Sequence, residues 1–554
     1  MQEIWLLGTL LAGGLGLCGG LAWGWGWGWR AGSLGKAGGS ASARCNFAAS
    51  VGLYLDWSAR LALGWGVLGA GAWLLADRQP GSVDGAAVPP EWRLAVGGWT
   101  LLAFDGLAWV LAGLVAFLGW MVIRYSRNYL GGDPRQTAYW GWLTATIVAV
   151  VGMVATGNLL LLLSLWTLAS LTLHQLLLFH GDRQLARRAA GTKFTLSRLA
   201  DLCLFSGGGL LCWRSGTWEL QGLQVWLGQM SAADAAWLST ACVLLVLGGS
   251  IRSAQVPFHF WLPLTLETPT PVSALMHAGI VNAGGFMAIR LSFLLVESSW
   301  AMQLLALFGL ATALLAGTVM LTQSSIKSML AWSTIAQMGF MMLQCGCGAF
   351  SAALLHLIAH SLYKSHAFLN SGSVLAESAL LEPRLFSGRP LSRWHVALCL
   401  LFAGGLVIVG FLVADISLWQ KPGGVLLSGA LCCGIAHWLQ SLARLPSAMI
   451  RSPIVWARGL LIAVGLVAVY VGGLQGCNWL LQPPLSQPAG LAAPSFALLL
   501  WGLVFAVMIG LRGDWASLSH YPALEAWRIH ASQGFYLESA ARRWFGGVAP
   551  SLLR

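Results

Sequence analysis

The sequence predicts an all-α polytopic membrane protein of about 15 transmembrane helices, and three observations carry that prediction. Charged residues are only 9% of the 554 positions, mean hydropathy is +0.72, and apolar runs long enough to cross a bilayer recur along the whole chain. An ordinary soluble domain carries about 25% charged residues. A hydrocarbon core about 30 Å thick needs about 20 apolar residues as a helix.

The predicted spans lie near 4–22, 51–76, 99–123, 138–157, 159–180, 196–213, 235–251, 272–294, 301–322, 328–344, 349–371, 395–419, 424–442, 459–474 and 495–511. The first has no basic segment before it and no small-residue cleavage site, so it reads as a retained helix. "WGWGWGWR" at 23–30 reads as an aromatic belt at the inner interface, with an aromatic binding platform as the alternative. The tail 512–554 mixes Arg, Trp, Phe and Leu and reads as a docking or interfacial segment.

A net charge of +12 raises the question of nucleic acid, but the basic residues are spread according to topology. If the loop 181–195 is cytoplasmic, the loops on its side hold 24 of the 31 Lys and Arg and the opposite loops hold 5. This follows the positive-inside rule and places the N-terminus outside and the C-terminus in the cytoplasm. The partner implied by the charge is the lipid bilayer, with no nucleic acid. The 11 cysteines contain no Cys-x-x-Cys pair and mostly sit in apolar runs, so they read as small packing residues. No zinc, iron–sulfur, dinucleotide or P-loop pattern occurs, so no cofactor and no metal are expected.

Ionisable groups inside spans are costly and mark ion pathways. The stretch "RSAQVPFHFWLPLTLETPTPVSALMHA" at 252–278 brings Arg252, Glu267 and His277 together with Pro257, Pro263, Pro269 and Pro271. Each proline removes a backbone donor, so the seventh span breaks near Arg252–Pro257 and the eighth starts at the "TPTP" turn. Broken helices at membrane depth are tolerated where they line a hydrated cavity, as in ion transporters. The other reading is a re-entrant packing element. In "HLIAHSLYKSH", His356, His360 and Lys364 follow at steps of four and share one helix face. Histidine titrates near neutral pH, so the row reads as a proton or ion path. His174, Asp415 and His437 are further candidates, whereas the i, i+3 pair Arg198 and Asp201 and the i, i+4 pair Asp56 and Arg60 read as ordinary ion pairs.

Three blocks, "RSAQVPFHFWLPLTLETPTPVSALMHAGIVNAGGFMAIR", "SSIKSMLAWSTIAQMGFM" and "HLIAHSLYKSHAFLNSGSV", resemble the core of the proton-translocating, antiporter-like membrane subunits of respiratory complex I and of Mrp antiporters. The resemblance implies two inverted five-helix repeats with broken helices, at about 138–294 and 301–442. Helices 1–3 over 1–137 and a C-terminal part over 443–554 would flank them. It also implies that His277, Lys327, His356, His360 and Lys364 lie on the proton path. Three positions depart from the family pattern. Arg252 stands where those subunits have the lysine of the broken helix, and a guanidinium does not release its proton. Thr167 stands where they have a glutamate, leaving His174 as the nearest titratable group on that face. Ala414 stands where a terminal lysine is expected, with Asp415 beside it and His437 one helix on.

"HASQGFYLESAARRWF", "PFHFWLP", "HAGIVNAGG" and "LHQLLLFH", together with the absence of a long lateral helix after the last span, are similar to one branch, the DabB membrane subunits of inorganic carbon uptake complexes. That similarity implies a subunit of the bacterial inner membrane with no catalytic site of its own. It would pass the energy of a cation gradient, with the proton as carrier, to a DabA-like zinc partner of carbonic-anhydrase type that hydrates CO2 to bicarbonate. The alternative is a proton-pumping subunit of a respiratory NADH-quinone oxidoreductase or of an Mrp-type antiporter.

Overall fold

The computed structural model describes residues 50–64, 92–373, 393–414, 422–443, 453–481, 522–537 and 539. The predicted spans 4–22 and 495–511, the segment 23–30 and Asp415 lie outside the described residues. Among the described residues, eight helices are long and apolar enough to cross a membrane.

Helix α1 covers 50–64. Its Asp56 accepts from Arg60 Nη2 at 2.8 Å, from Trp120 Nε1 at 3.1 Å and from Arg127 Nη1 at 3.4 Å, so the predicted pair is part of a larger clasp onto the next helix. The sequence from Trp92 departs from the all-α expectation. Strands β1 (Trp92–Val96) and β2 (Trp99–Phe104) form an antiparallel hairpin. Its tip, Gly97-Gly98, takes φ of 59° and 82°. Glycine adopts that left-handed conformation without steric cost. The span expected from 99 therefore begins only at α2 (Gly106–Tyr129). There the Asp105 carboxylate caps the first turn by accepting from the Ala108 amide at 2.8 Å.

Helices α3 (Gln136–Ala155) and α4 (Leu159–Leu177) form an antiparallel pair. Glu219 ties their junction to the hairpin, its Oε1 accepting from Asn158 Nδ2 at 2.7 Å and from the Thr100 amide at 3.1 Å. Helix α5 runs from Gln184 to Ser215, twelve residues earlier than the predicted span at 196, and stops at Gly216 in the left-handed region (φ 73°). The short α6 (Leu220–Gly228) precedes α7 (Ala235–Arg252).

The break expected after Arg252 is present. Helix α7 ends there, the Val256–Pro257 peptide is cis, and single turns lead to α8 (Thr270–Ala278), which has proline in its first turn. A second break at Gly279 divides the predicted eighth span into α8 and α9 (Ala283–Arg290). The freed Ala278 carbonyl is satisfied by Asn282 Nδ2 at 2.8 Å. Ser253 stitches the two breaks together, donating to the Val281 carbonyl at 2.7 Å and accepting from the Gly284 amide at 3.1 Å.

Helices α10 (Ser299–Leu321) and α11 (Ile326–Gly346) pack backbone to backbone along Gly309, Gly339 and Gly346. A seam of small residues of this kind lets membrane helices approach closely. Helix α12 (Phe350–Leu369) lies against α8 and α11. Helices α13 (Arg393–Val413), α14 (Pro422–Ala443) and α15 (Pro453–Leu480) form a smaller cluster around Phe411, Val467 and Tyr470. Helix α16 (Pro522–Ser532) and the turn after it reach the start of α11, where Gln323 Nε2 donates to the Ser532 carbonyl at 3.3 Å.

Candidate functional site: two buried polar clusters

The first cluster lies where α8, α11 and α12 meet. Helical spacing puts His356, His360 and Lys364 on the inner face of α12, and all three are buried. Lys364, 1% exposed, donates to the Leu330 carbonyl at 3.1 Å and to the Ser333 hydroxyl, both on α11. His356 is bracketed by glutamines, with Nδ1 2.9 Å from Gln344 Oε1 and Nε2 2.8 Å from Gln337 Oε1. His277 comes from α8 and stacks on Phe368 with centroids 4.3 Å apart. Neither ring nitrogen of His277 or of His360 has a partner in the described protein. Leaving a buried polar atom unpaired costs about 1–3 kcal/mol, which a packing role does not explain. His277, His356 and Lys364 are all within electrostatic reach of His360, so four ionisable groups form one connected set. Beside them, Asn282 Nδ2 donates to the Ser361 hydroxyl at 2.8 Å.

The second cluster joins α4, α5 and α7. Arg252 donates to the Trp166 carbonyl at 2.8 Å and to the Thr167 hydroxyl at 3.3 Å, and pairs with Asp201. Asp201 also pairs with Arg198 at 2.8 Å and accepts from Thr167 at 3.0 Å. The carboxylate facing the broken helix thus comes from α5, one helix on from the threonine at the expected position. Asp201 is more than half of a local ion pair: it bridges two guanidinium groups.

The sequence places Lys193 in a cytoplasmic loop. Because α5 starts at Gln184, it is instead 4% exposed within the bundle and donates to the Ser170 carbonyl at 2.6 Å and hydroxyl at 2.7 Å. Lys193, Ser197 and Asp201 repeat the i, i+4, i+8 spacing of the α12 row, and that periodicity is the signal in the sequence that marks them. His174 packs on Phe194 with centroids 5.0 Å apart and lies within electrostatic reach of Lys193 and Arg198.

The remaining candidates stand apart. Lys327 is half-buried at the start of α11, its Nζ 3.4 Å from Thr270 Oγ1. Glu267 makes a partly exposed ion pair with Arg183 at 3.4 Å. His437 lies on an exposed face of α14. His259, outside the predicted set, is 1% exposed and packs on Trp332 with centroids 5.5 Å apart.

Residues 156–421, which contain both clusters, match the family model for the transmembrane part of NADH:quinone oxidoreductase and Mrp antiporter subunits. The chain is 40% identical over 379 residues to "Probable inorganic carbon transporter subunit DabB2" of Halothiobacillus neapolitanus, covering 66% of each chain. It is 40% identical over 297 residues to "Probable inorganic carbon transporter subunit DabB" of Hydrogenovibrio crunogenus, covering 53% of this chain and 57% of that one. The matched region thus spans just under two thirds of the first relative and less of the second. Among solved structures, the Mrp complex from a Dietzia species is similar in fold, with a TM-score of 0.57 at 23% identity over 97% of this chain and 60% of that one. Motif order, broken helices and these similarities agree: over residues 156–421 the chain is similar to the membrane subunits of NADH:quinone oxidoreductase and Mrp antiporters, and among curated proteins to the DabB inorganic carbon transporter subunits.

Proposed function

We propose that this chain is a proton-conducting subunit of a bacterial inner membrane, energising inorganic carbon uptake by a DabA-like, zinc-containing partner of carbonic-anhydrase type. The observation that carries the conducting role is the convergence of Lys364, His360, His356 and His277, with unpartnered ring nitrogens in the middle of the set. Such nitrogens are free to take up and pass on a proton or to bind water. Lys364 is the central donor of this path, and Lys327 stands at one end of the same helix pair.

Arg252 supplies a fixed positive charge in the other half, where Asp201 holds it. The coupling to carbon rests on the similarity to inorganic carbon transporter subunits, whose names make them parts of larger assemblies. In this reading the chain performs no chemistry on CO2 itself, and the partner hydrates it to bicarbonate.

The test is growth in ordinary air of a host that lacks carbonic anhydrase. Co-expression of the chain with its candidate zinc partner should rescue growth, and neither alone should. Rescue by the partner alone would overturn the coupling. Failure of the pair with both proteins present in the membrane fraction would favour the respiratory or antiporter role.

A further inference from the structure

The α4–α5–α7 cluster does not balance its charge. Arg198, Arg252 and Lys193 lie within electrostatic reach of one another. Among the described residues, Asp201 is the one carboxylate that pairs with any of them. Even with Lys193 counted as neutral, two guanidinium groups share one carboxylate. Arg252 is 7% exposed. Removing an uncompensated charge from water costs several kcal/mol, and a membrane interior raises that demand further.

The donors are also in excess. Nε of Arg252 and Nε of Arg198 are buried without an acceptor. Ser170 adds a hydroxyl on the facing turn of α4, and Nδ1 of His174, one turn beyond Ser170, is buried and unpartnered. The Arg198 side chain is 33% exposed, so the cluster is open on that side.

We propose that Arg198, Arg252 and Lys193 form a binding site for a small monovalent oxyanion of the bicarbonate class, which supplies the missing negative charge. The unpaired Nε–H of each guanidinium suits an oxyanion oxygen, and the Ser170 hydroxyl, which accepts from Lys193, has a hydrogen left to donate. A spherical halide uses that geometry less well. The innermost donors, Arg252 and Lys193, are too buried for a lipid headgroup to reach. The site is a property of the resting protein and does not require that protons be the carried ion.

The experiment uses the full chain in lipid-free detergent, so that headgroup phosphate is absent. Its thermal midpoint is followed while sodium bicarbonate replaces sodium gluconate at constant pH and ionic strength, with sodium chloride as a parallel arm. The wild type should show a saturable rise with bicarbonate and a response to chloride at least about tenfold weaker in midpoint concentration. Arg198→Gln should shift the bicarbonate midpoint upward by about tenfold. Thr167→Glu places a carboxylate beside Arg252 and should abolish the bicarbonate response while matching the saturated wild type in stability. No saturable rise in the wild type would overturn the site. An undiminished response in Thr167→Glu would place any binding elsewhere and overturn it too, and an equal response to chloride would overturn the oxyanion assignment.

Discussion

Lys364 on α12 donates to the Leu330 carbonyl of α11 at 3.1 Å, so the central lysine is held by the backbone of the neighbouring helix. Among the described residues no carboxylate pairs with it. Lys364→Met keeps the length of the side chain and removes its proton. We expect normal membrane levels and loss of cation-driven carbon uptake, measured as bicarbonate accumulation with and without an uncoupler. Lys364→Arg should fail as well, because the guanidinium keeps its proton. Uncoupler-sensitive uptake at the wild-type rate in Lys364→Met would remove the proposed path.

In the other half, charge and not proton exchange is the requirement. Arg252→Lys should retain substantial uptake, and Arg252→Ala should lose it. Asp201→Asn strands two guanidinium groups and should cost about 3–5 kcal/mol, the range seen when one partner of a buried pair is removed. The accompanying readout is a lower thermal midpoint of the purified protein. Full activity and stability in Arg252→Ala would make the arginine idle.

The glycine seam gives a prediction about packing. A Cβ on Gly339 would sit 2.8 Å from the Gly309 carbonyl oxygen, and α10 cannot give way without moving its backbone. Gly339→Ala should therefore cost at least about 1–3 kcal/mol, the usual range for overpacking. Gly317, with nothing within 4 Å, serves as the control and should accept alanine. Equal stability of the two variants would refute a tight seam.

Orientation is tested with reporters. A fusion after Arg554 should read cytoplasmic, and one in the uncharged stretch 482–493 that follows α15 in sequence should read external. The reverse result at both positions would overturn the predicted topology.

The features written in covalent chemistry are the legible ones. Proline spacing locates the break after Arg252, and steps of four from His356 to Lys364 locate the buried row. The hairpin is hidden because "WRLAVGGWTLLAF" is largely apolar, so its composition matches a membrane span; the Gly97-Gly98 pair is its one local mark. Lys193 reads as a loop residue because charge assigns a residue to a loop only if no helix includes it, and α5 starts nine residues earlier. The double role of Asp201 depends on Arg252, 51 residues away, and no local pattern encodes that meeting.

The two glutamines around His356 constrain how that ring can change state. A neutral imidazole has one N–H and one lone pair, so it needs an acceptor on one side and a donor on the other. The fully buried Gln344 presents its oxygen to Nδ1 and the exposed Gln337 presents its oxygen to Nε2. With an oxygen on each side a neutral ring lacks its donor, so one amide must turn its NH2 to the ring, and the exposed Gln337 has room to turn. A protonated ring is matched by an oxygen on both sides, and a neutral ring by an oxygen on one side and an amide NH2 on the other. A change of charge on this ring is thus tied to a half-turn of a flanking glutamine amide.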